Sequence, residues 1–232
     1  QIDVAYFDLQ RKLENKDSLN WDWASERTNS EQLLEGLSAD LSFGYRSRSG
    51  WQFRGGIGYT QLNTLFASTV TTQTVDTVQG LTMLVYNPDN SVDSIFGSVA
   101  YYETTTRQKQ TYNSIRQWEL PLLAGYNFEL GRLSLLVEAG VRLRLNRNWE
   151  GIVFNQDLGN NFQDLSTTDW YRTGLDLGLQ GGIHLAYPIS PQIDILAGGS
   201  VRYNLQDFSG DNSPFTERYQ LLGGQLGLRY RF

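Results

Sequence analysis

The last residues of the chain, 217–232, alternate between two kinds of side chain with a period of two. Leu226, Leu228, Tyr230 and Phe232 share one face, and the opposite face carries glycine, glutamine and two arginines. Successive side chains of a β-strand point to opposite faces. A strand with one apolar face that ends in aromatic residues is typical of transmembrane β-barrels, whose lipid-facing and lumen-facing residues alternate.

The same residues carry a resemblance. The ending is similar to the terminal strand of bacterial outer-membrane β-barrels, in which a C-terminal aromatic residue is part of the signal that the insertion machinery reads. The resemblance implies that Leu228, Tyr230 and Phe232 form a C-terminal insertion signal and that the barrel insertion machinery is a partner. The alternative interpretation is the last strand of a soluble β-sandwich.

Composition limits the class of protein without deciding it. No run in the 232 residues approaches the roughly 20 apolar residues of a membrane helix, and mean hydropathy is -0.41. This excludes helical spans only, because a membrane barrel is apolar at every second residue. The absence of cysteine excludes disulfides and thiolate metal sites. A net charge of -6 without a basic run argues against a nucleic-acid partner, and we expect no cofactor.

Alternation identifies seven long strands, and the lengths of the connections order them. Three connections are short, at 46–50, 129–132 and 188–192, and four are long, at 15–30, 67–110, 149–167 and 206–216. Periplasmic turns of outer-membrane barrels are short and outer loops are long. Counting back from a periplasmic C-terminus requires one more strand before residue 15, although alternation there is poor. The predicted strands lie near 2–13, 31–46, 51–66, 111–128, 132–148, 168–187, 192–207 and 217–232.

The sequence therefore predicts an all-β fold with a single domain, residues 1–232. It is an eight-stranded antiparallel up-and-down transmembrane β-barrel with long extracellular loops, located in the bacterial outer membrane. An unclosed seven-stranded sheet would leave unpaired edges in lipid, which is prohibitive. Residues 67–110 are expected to form an extracellular β-hairpin extension that turns at Pro88 and Asp89. Pro121 cannot donate a ladder hydrogen bond, so a local irregularity is expected there.

The inward faces of these strands carry charges of both signs. An eight-stranded barrel is just wide enough for side chains to fill it, and buried charges need partners. We expect a cross-barrel network that closes the lumen, with a narrow conduit as the competing interpretation. The predicted lumen residues are Asp40, Arg54, Glu119, Glu138, Arg142, Arg144, Asp176, His184, Asp194, Arg202, Arg229 and Arg231. Asn146 is assigned to the same face as Arg144, and Tyr171 to the lipid face.

His184 is the only histidine. It could serve a barrel hydrolase or acyltransferase, but no Ser/His/acid spacing accompanies it, so we predict no enzymatic activity and no catalytic residues. The acids of the predicted loops lack the spacing of calcium-binding loops and are expected to be solvated. Trp21 and Trp23 are expected in the outer aromatic girdle, with contact to a partner as the alternative. The loop acids considered are Asp17, Asp22, Glu26, Asp157, Asp164, Asp169, Asp207 and Asp211.

The stretch WELPLLAGYNFELGRLSLLVEAGVRLRL, residues 118–145, resembles the outer membrane protein beta-barrel families that are abundant in Bacteroidota, sometimes grouped with PorT-like proteins. Residues 36–62 fit the earlier hairpin of that family, and the resemblance covers about residues 31–232. Its motifs are those of a barrel fold and not of an active site.

The expected function is structural or partner-binding, as an accessory subunit of an envelope complex, through the extracellular loops. The expected partners are outer-membrane lipid and lipopolysaccharide, and a protein that binds the hairpin 67–110. The alternatives are a narrow channel or transporter for small solutes, and a barrel enzyme that acts on lipid or peptide.

Overall fold

Eight strands close into one antiparallel ring in the computed structural model, which describes residues 1–16, 22–155 and 161–232. The ring order is β1-β10-β9-β8-β5-β4-β3-β2, and β6 pairs only with β7. The predicted eight-stranded antiparallel barrel is confirmed. The elements are β1 (Ile2–Asn15), α1 (Trp23–Ser30), β2 (Glu31–Arg46), β3 (Trp51–Tyr86), β4 (Val92–Leu130), β5 (Leu133–Glu150), β6 (Ile152–Asn155), β7 (Asn161–Asp164), a 3₁₀ turn (Leu165–Thr167), β8 (Asp176–Pro188), β9 (Ile193–Asn204) and β10 (Phe215–Tyr230).

Strand β1 closes the ring between β10 and β2. It pairs with β10 from Ile2↔Leu228 to Asn15↔Phe215, and its first half pairs with β2. Its alternation is weak in the sequence because both faces are apolar: Phe7 and Leu9 are buried inside, whereas Tyr6 is exposed on the outside. The first strand therefore forms in spite of its pattern, since an open ring would leave unpaired backbone groups in lipid.

The short connections are tight turns, and two of them contain a glycine with left-handed backbone. Gly50 has φ +94° in the turn between β2 and β3, and Gly131 has φ +68° between β4 and β5. Glycine adopts this conformation without the steric cost that a Cβ imposes. The tight turns join strands at one end of the barrel, so the long connections meet at the other end, which is the extracellular end of an outer-membrane barrel.

The outer surface of the barrel is an apolar belt. Its leucine, valine and isoleucine side chains are exposed, and aromatic residues mark both ends. Tyr59 packs edge-on against Trp118 near the extracellular end, with ring centroids 5.2 Å apart. Trp51 packs against Tyr126 at the turn end, at 5.5 Å. Such aromatic girdles flank the lipid-facing band of membrane barrels.

The described part divides into two compact units. The first is Gln1–Ala67 with Gln110–Phe232 and contains the barrel. The second, Ser68–Lys109, is a β-hairpin made from the remaining residues of β3 and β4. Its turn is closed by Asn87 and Ser91, whose backbone N–H and C=O groups are 2.9 Å apart, and Asn90 has φ 64°.

Several element bounds differ from the prediction. The segment 15–30, predicted as a loop, contains helix α1, capped by Asp22, which accepts a hydrogen bond from the backbone of Ser25. The strand predicted for 168–187 begins only at Asp176. The strands predicted for 192–207 and 217–232 run over β9 and β10, and those predicted for 51–66 and 111–128 belong to the longer β3 and β4. No helix in the described part is long and apolar enough to cross a membrane.

A register shift in the upper part of β5 changes which residues face inward. It lies between Trp118 and Glu119, where β4 pairs with β5. Trp118 pairs with Asn146 but Glu119 pairs with Arg144, so β5 carries one extra residue. The expected irregularity at Pro121 does not occur, because Pro121 pairs regularly with Arg142. The assignment of Asn146 to the lumen is wrong: beyond the bulge it is exposed.

Candidate functional site: the barrel lumen

Every second residue of each strand points into the lumen, and many of these inward residues are charged. At the turn end, Asp194 on β9 accepts a hydrogen bond from Arg229 Nε at 2.9 Å and one from Arg231 Nη2 at 2.6 Å. Arg229 also donates to Gln52 on β3, across the lumen, at 3.0 Å. Arg231 lies just past the end of β10, and 41% of its side chain is exposed. A short apolar layer of Leu136, Ala186 and Leu196 packs inside the barrel as well.

The next layer joins three strands through one guanidinium. Arg54 on β3 donates to Asp3 on β1 at 2.9 Å, and its Nε donates to Glu138 on β5 at 2.9 Å. His184 on β8 is 2% exposed at its side chain, and its Nε2 lies 3.2 Å from Glu138 Oε1. His184 therefore lies beside a carboxylate that also pairs with Arg54.

The central layer contains the densest contacts. Arg142 Nη2 lies 2.6 Å from Asp40 Oδ1, and Arg142 Nε lies 2.8 Å from Glu119 Oε2. Arg202 reaches the same two carboxylates, at 3.3 Å and 3.7 Å. Two carboxylates and two guanidinium groups from β2, β4, β5 and β9 thus form one neutral cluster.

Towards the extracellular end the cluster continues around Asp176. Arg144 Nη1 and Arg147 Nη2 lie 2.5 Å and 2.9 Å from Asp176 Oδ2, and Arg144 also reaches Glu119 at 3.2 Å. The guanidinium of Arg147 lies over the ring of Phe208, 3.8 Å from its centroid. This cation–π contact marks the change from a charged to an aromatic interior.

Inward glycines provide the room for these pairs. A Cβ at Gly58 would collide with the carboxylate of Asp40 and the guanidinium of Arg142. Gly178 faces Arg144 in the same way, Gly227 faces Asp3, and Gly182 faces His184. The narrow barrel therefore holds long charged side chains because a nearby position, on another strand for Gly58, Gly178 and Gly227 and on the same strand for Gly182, contributes no side chain.

The extracellular end of the lumen is closed by an apolar and aromatic cluster that includes α1. Trp23 of α1 packs edge-on against Trp170, with ring centroids 5.4 Å apart. Phe7 and Tyr219 of the closing strands belong to the same cluster and are fully buried. Tyr171, predicted on the lipid face, is buried here, because the residues before β8 turn inward over the barrel.

A second ionic group anchors α1. Arg27 lies 3.0 Å from Glu31 and 2.8 Å from Glu217, and it donates a hydrogen bond to the hydroxyl of Tyr171. Burial lowers the pKa of Arg27, but the carboxylates of Glu217 and Glu31 outweigh it, so the pKa lies well above its ordinary value. Burial also raises the pKa of Tyr171. The helix is therefore held by a permanently charged arginine.

All of the predicted lumen residues lie in this interior, with Arg231 at its edge. Each arginine that is buried in the described part contacts a carboxylate. Sequence reasoning missed Asp3, Arg11, Arg27, Glu31, Arg147 and Glu217. Asp3 lies between outward residues of β1. It could have been assigned to the lumen once the first segment was accepted as a strand. Arg147 could not, because the bulge in β5 reverses the alternation before it.

The other predicted sites are partly outside this interior. Leu228 and Tyr230 are half-exposed on the lipid face, and Phe232 is fully exposed. The rings of Tyr230 and Phe232 pack 5.0 Å apart. Trp23 lies in the buried cluster and not in a girdle, whereas Trp21, Asp17 and Asp157 fall outside the described residues. Among the described residues no group of three or more His, Asp or Glu side chains is arranged to hold a metal ion.

The fold and this interior define a class. A closed ring has no unpaired strand edge, its outer belt is apolar between aromatic girdles, and its charges are directed inward. A soluble protein has the reverse distribution, with charges outside. The protein is an integral β-barrel of the bacterial outer membrane.

Comparison with known proteins finds solved structures that align with the chain at low sequence identity. No family model and no curated protein matches the chain. Among solved structures, Neisserial surface protein A is 14% identical, with 100% of this chain and 97% of that chain covered and a TM-score of 0.41. Ail, the attachment invasion locus protein of Yersinia pestis, in complex with the heparin analogue sucrose octasulfate, is 14% identical over 100% and 96%, with a TM-score of 0.34. The translocator domain of the autotransporter NalP from Neisseria meningitidis is 13% identical over 100% and 88%, with a TM-score of 0.34.

Proposed function

We propose that this outer-membrane barrel is a non-enzymatic, partner-binding protein that serves as an accessory subunit of an envelope complex. The hairpin Ser68–Lys109 is the proposed binding element. The observation that carries the proposal is the exposure of large apolar side chains throughout this unit, on both strands. Tyr86 is 75% exposed, Phe96 67% and Tyr102 60%.

The hairpin has the properties of a recognition element. A two-stranded ribbon is marginally stable alone in water, and exposed apolar patches of this kind mark interaction sites. Its apolar residues include Leu81, Met83 and Ile95 as well as the aromatic ones. In the described part of the chain no further strand pairs with residues 68–109, and unpaired strand edges accept an added strand from a partner.

The paired charges of the lumen favour this function over a channel or transporter. Its arginines are paired with carboxylates from the extracellular to the turn end, so an entering solute would have to separate buried ion pairs, which is costly. The pairing of His184 with Glu138 likewise gives no reason to assign it a catalytic role. The barrel is then a membrane anchor for the hairpin.

Two further partners follow from the outer surface. The apolar belt is proposed to contact outer-membrane lipid and lipopolysaccharide, and the exposed Leu228, Tyr230 and Phe232 are proposed to be read by the barrel insertion machinery. The resemblance of residues 118–145 supports a place among Bacteroidota barrel families.

Deletion of residues 70–106 tests the proposal. We expect the shortened barrel to insert and to keep its heat-modifiable migration in electrophoresis, but to lose any protein that co-purifies from native outer membranes. Phe96→Ser with Tyr102→Ser should weaken capture in the full-length chain. Tyr112→Ser is the matched control, because Tyr112 is 73% exposed but lies in the barrel unit. Undiminished capture by the deletion variant would refute the proposal.

A further inference from the structure

The lipid-facing surface of β1, β2, β9 and β10 contains a groove of about 730 Å³. Its floor is formed by the small residues Ala39, Ala197 and Gly224. Val4, Tyr6, Leu37 and Leu226 stand around it with 45% to 60% of their surface exposed. The groove is therefore a depression within the belt that already faces lipid.

The glycines at this surface are not required by the packing of the barrel. A Cβ at Gly224 would come no closer than 3.9 Å to any neighbour, and at Gly199, its partner on β9, no closer than 3.6 Å. By contrast, a Cβ at the inward Gly223 or Gly198 would collide with the backbone of the adjacent strand. Glycine weakens a strand interior and often marks a site where a ligand approaches the backbone closely. The outward glycines thus leave room for something outside the chain.

The position of the groove indicates which molecule reaches it. Tyr6 and Tyr59 line its extracellular end, and Tyr59 belongs to the girdle contact with Trp118. Beyond them the outward residues become polar: Gln61 donates to Asn63, which donates to Glu35, each at 2.8 Å. The groove therefore lies in the half of the belt that faces the outer leaflet, just inside the polar boundary.

We propose that this groove binds one hydrocarbon chain of an outer-leaflet lipid. The groove is continuous with the lipid-facing belt, so acyl chains are the molecules that surround it. A flexible chain fits between the raised side chains of Tyr6 and Leu226. A second copy of the chain would have to place a side chain of its own belt on the floor that Gly224 and Ala197 form.

Lipid retention tests the site. The full-length protein is folded into dimyristoyl phosphatidylglycerol vesicles, extracted in mild detergent and weighed intact by native mass spectrometry. We expect the wild-type barrel to retain a lipid, and Gly224→Leu, which fills the groove, to retain about tenfold less. Gly181→Leu is the matched control, because Gly181 also faces lipid with open space, its nearest contact being 3.7 Å away on Val201, and it lies outside the groove.

Heat-modifiable migration verifies that each variant is folded, and Ala39→Leu replaces Gly224→Leu if the latter fails this check. Retention of lipid by a folded, filled variant at the wild-type level would overturn the proposal, and so would equal loss in Gly181→Leu. A wild-type dimer that Gly224→Leu converts to a monomer would overturn it in favour of a second copy of the chain.

Discussion

Arg142 and Asp40 meet across the lumen, with Nη2 and Oδ1 2.6 Å apart, although their strands β5 and β2 are not neighbours in the ring. Contacts of this kind, and not a hydrophobic core, fill the centre of the barrel. They connect opposite walls that the backbone ladder joins only indirectly.

Removing the arginine from this pair should be costly. Arg142→Met leaves Asp40 and Glu119 short of a buried partner, and breaking such a pair typically costs about 3–5 kcal/mol. Urea unfolding of the vesicle-embedded barrel would measure the loss. Arg116→Met is the control, since the Arg116–Glu150 pair is 42% and 56% exposed and such pairs contribute about 0–1 kcal/mol. Equal losses in the two variants would contradict a structural role for the lumen cluster.

The glycine opposite the pair should tolerate no side chain. Gly58→Ala places a Cβ against Asp40 and Arg142, and overpacking of this kind costs about 1–3 kcal/mol. Gly224→Ala, whose Cβ would lie 3.9 Å from its nearest neighbour, should leave the unfolding midpoint unchanged or raise it. The two unfolding midpoints are compared under the same conditions. The comparison shows whether only Gly58 lacks room for a side chain or whether glycine is generally favoured in these strands.

The cap of α1 should depend on pH. Hydrogen bonds from the Asn15 side chain and the Ser25 backbone hold the pKa of Asp22 below its ordinary value of 3.8. The capping contribution is therefore fully present above 3.8 and is lost as pH falls through the lower pKa of the folded state. The protection of α1 amides against hydrogen exchange, taken relative to their intrinsic exchange rates, should fall in that acidic range. Asp22→Asn also caps but does not titrate, so it should remove this pH dependence. An equal loss of protection in both proteins would assign the pH dependence to another group.

The filled lumen should not conduct. Vesicles that contain the purified protein should release small solutes at the rate of protein-free vesicles, because passage would separate buried ion pairs from one end of the lumen to the other. A vesicle swelling assay with sugars and amino acids measures this. Flux above the protein-free rate that depends on protein concentration would restore the channel interpretation.

Substitution of the single histidine should be silent in activity assays. His184→Gln keeps a polar side chain beside Glu138 and removes the capacity to act as a base at neutral pH. We expect the lipid A profile and the proteolysis profile of cells that carry the variant to match those of the wild type. A change in either profile, with folding intact, would reopen the enzyme hypothesis.

Most of the barrel can be predicted from the sequence, because the alternation of side chains and the lengths of the connections are local properties. Asp40, Glu119 and Arg142 can be assigned to one face by counting in twos from the nearest turn. The count fails where a residue is inserted: past the bulge in β5, Asn146 points outward and Arg147 inward, and no residue type there signals the change.

The extracellular end of the interior was the less predictable part. Phe7, Leu9 and Tyr171 are apolar or aromatic, so each was compatible with lipid or lumen. Their burial depends on α1 and on the segment before β8, which cover the barrel end and exclude water from it. Helix α1 itself is eight residues long and mostly polar, so its sequence resembles a loop. Its position is set by the contacts of Arg27 with Glu217 and Tyr171, which are distant in the chain.

The two faces of β1 also specify its register against β10. If β1 slipped by one residue against β10, Asp3 would enter hydrocarbon, Val4 and Tyr6 would enter the lumen, and Arg54 would lose a carboxylate. The same one-residue shift would therefore be unfavourable on the lipid side and on the lumen side of the sheet. A barrel closed in the shifted register would therefore carry the charge of Asp3 in lipid and leave Arg54 without that partner, so the pairing of β1 with β10 is specified on both faces of the strand.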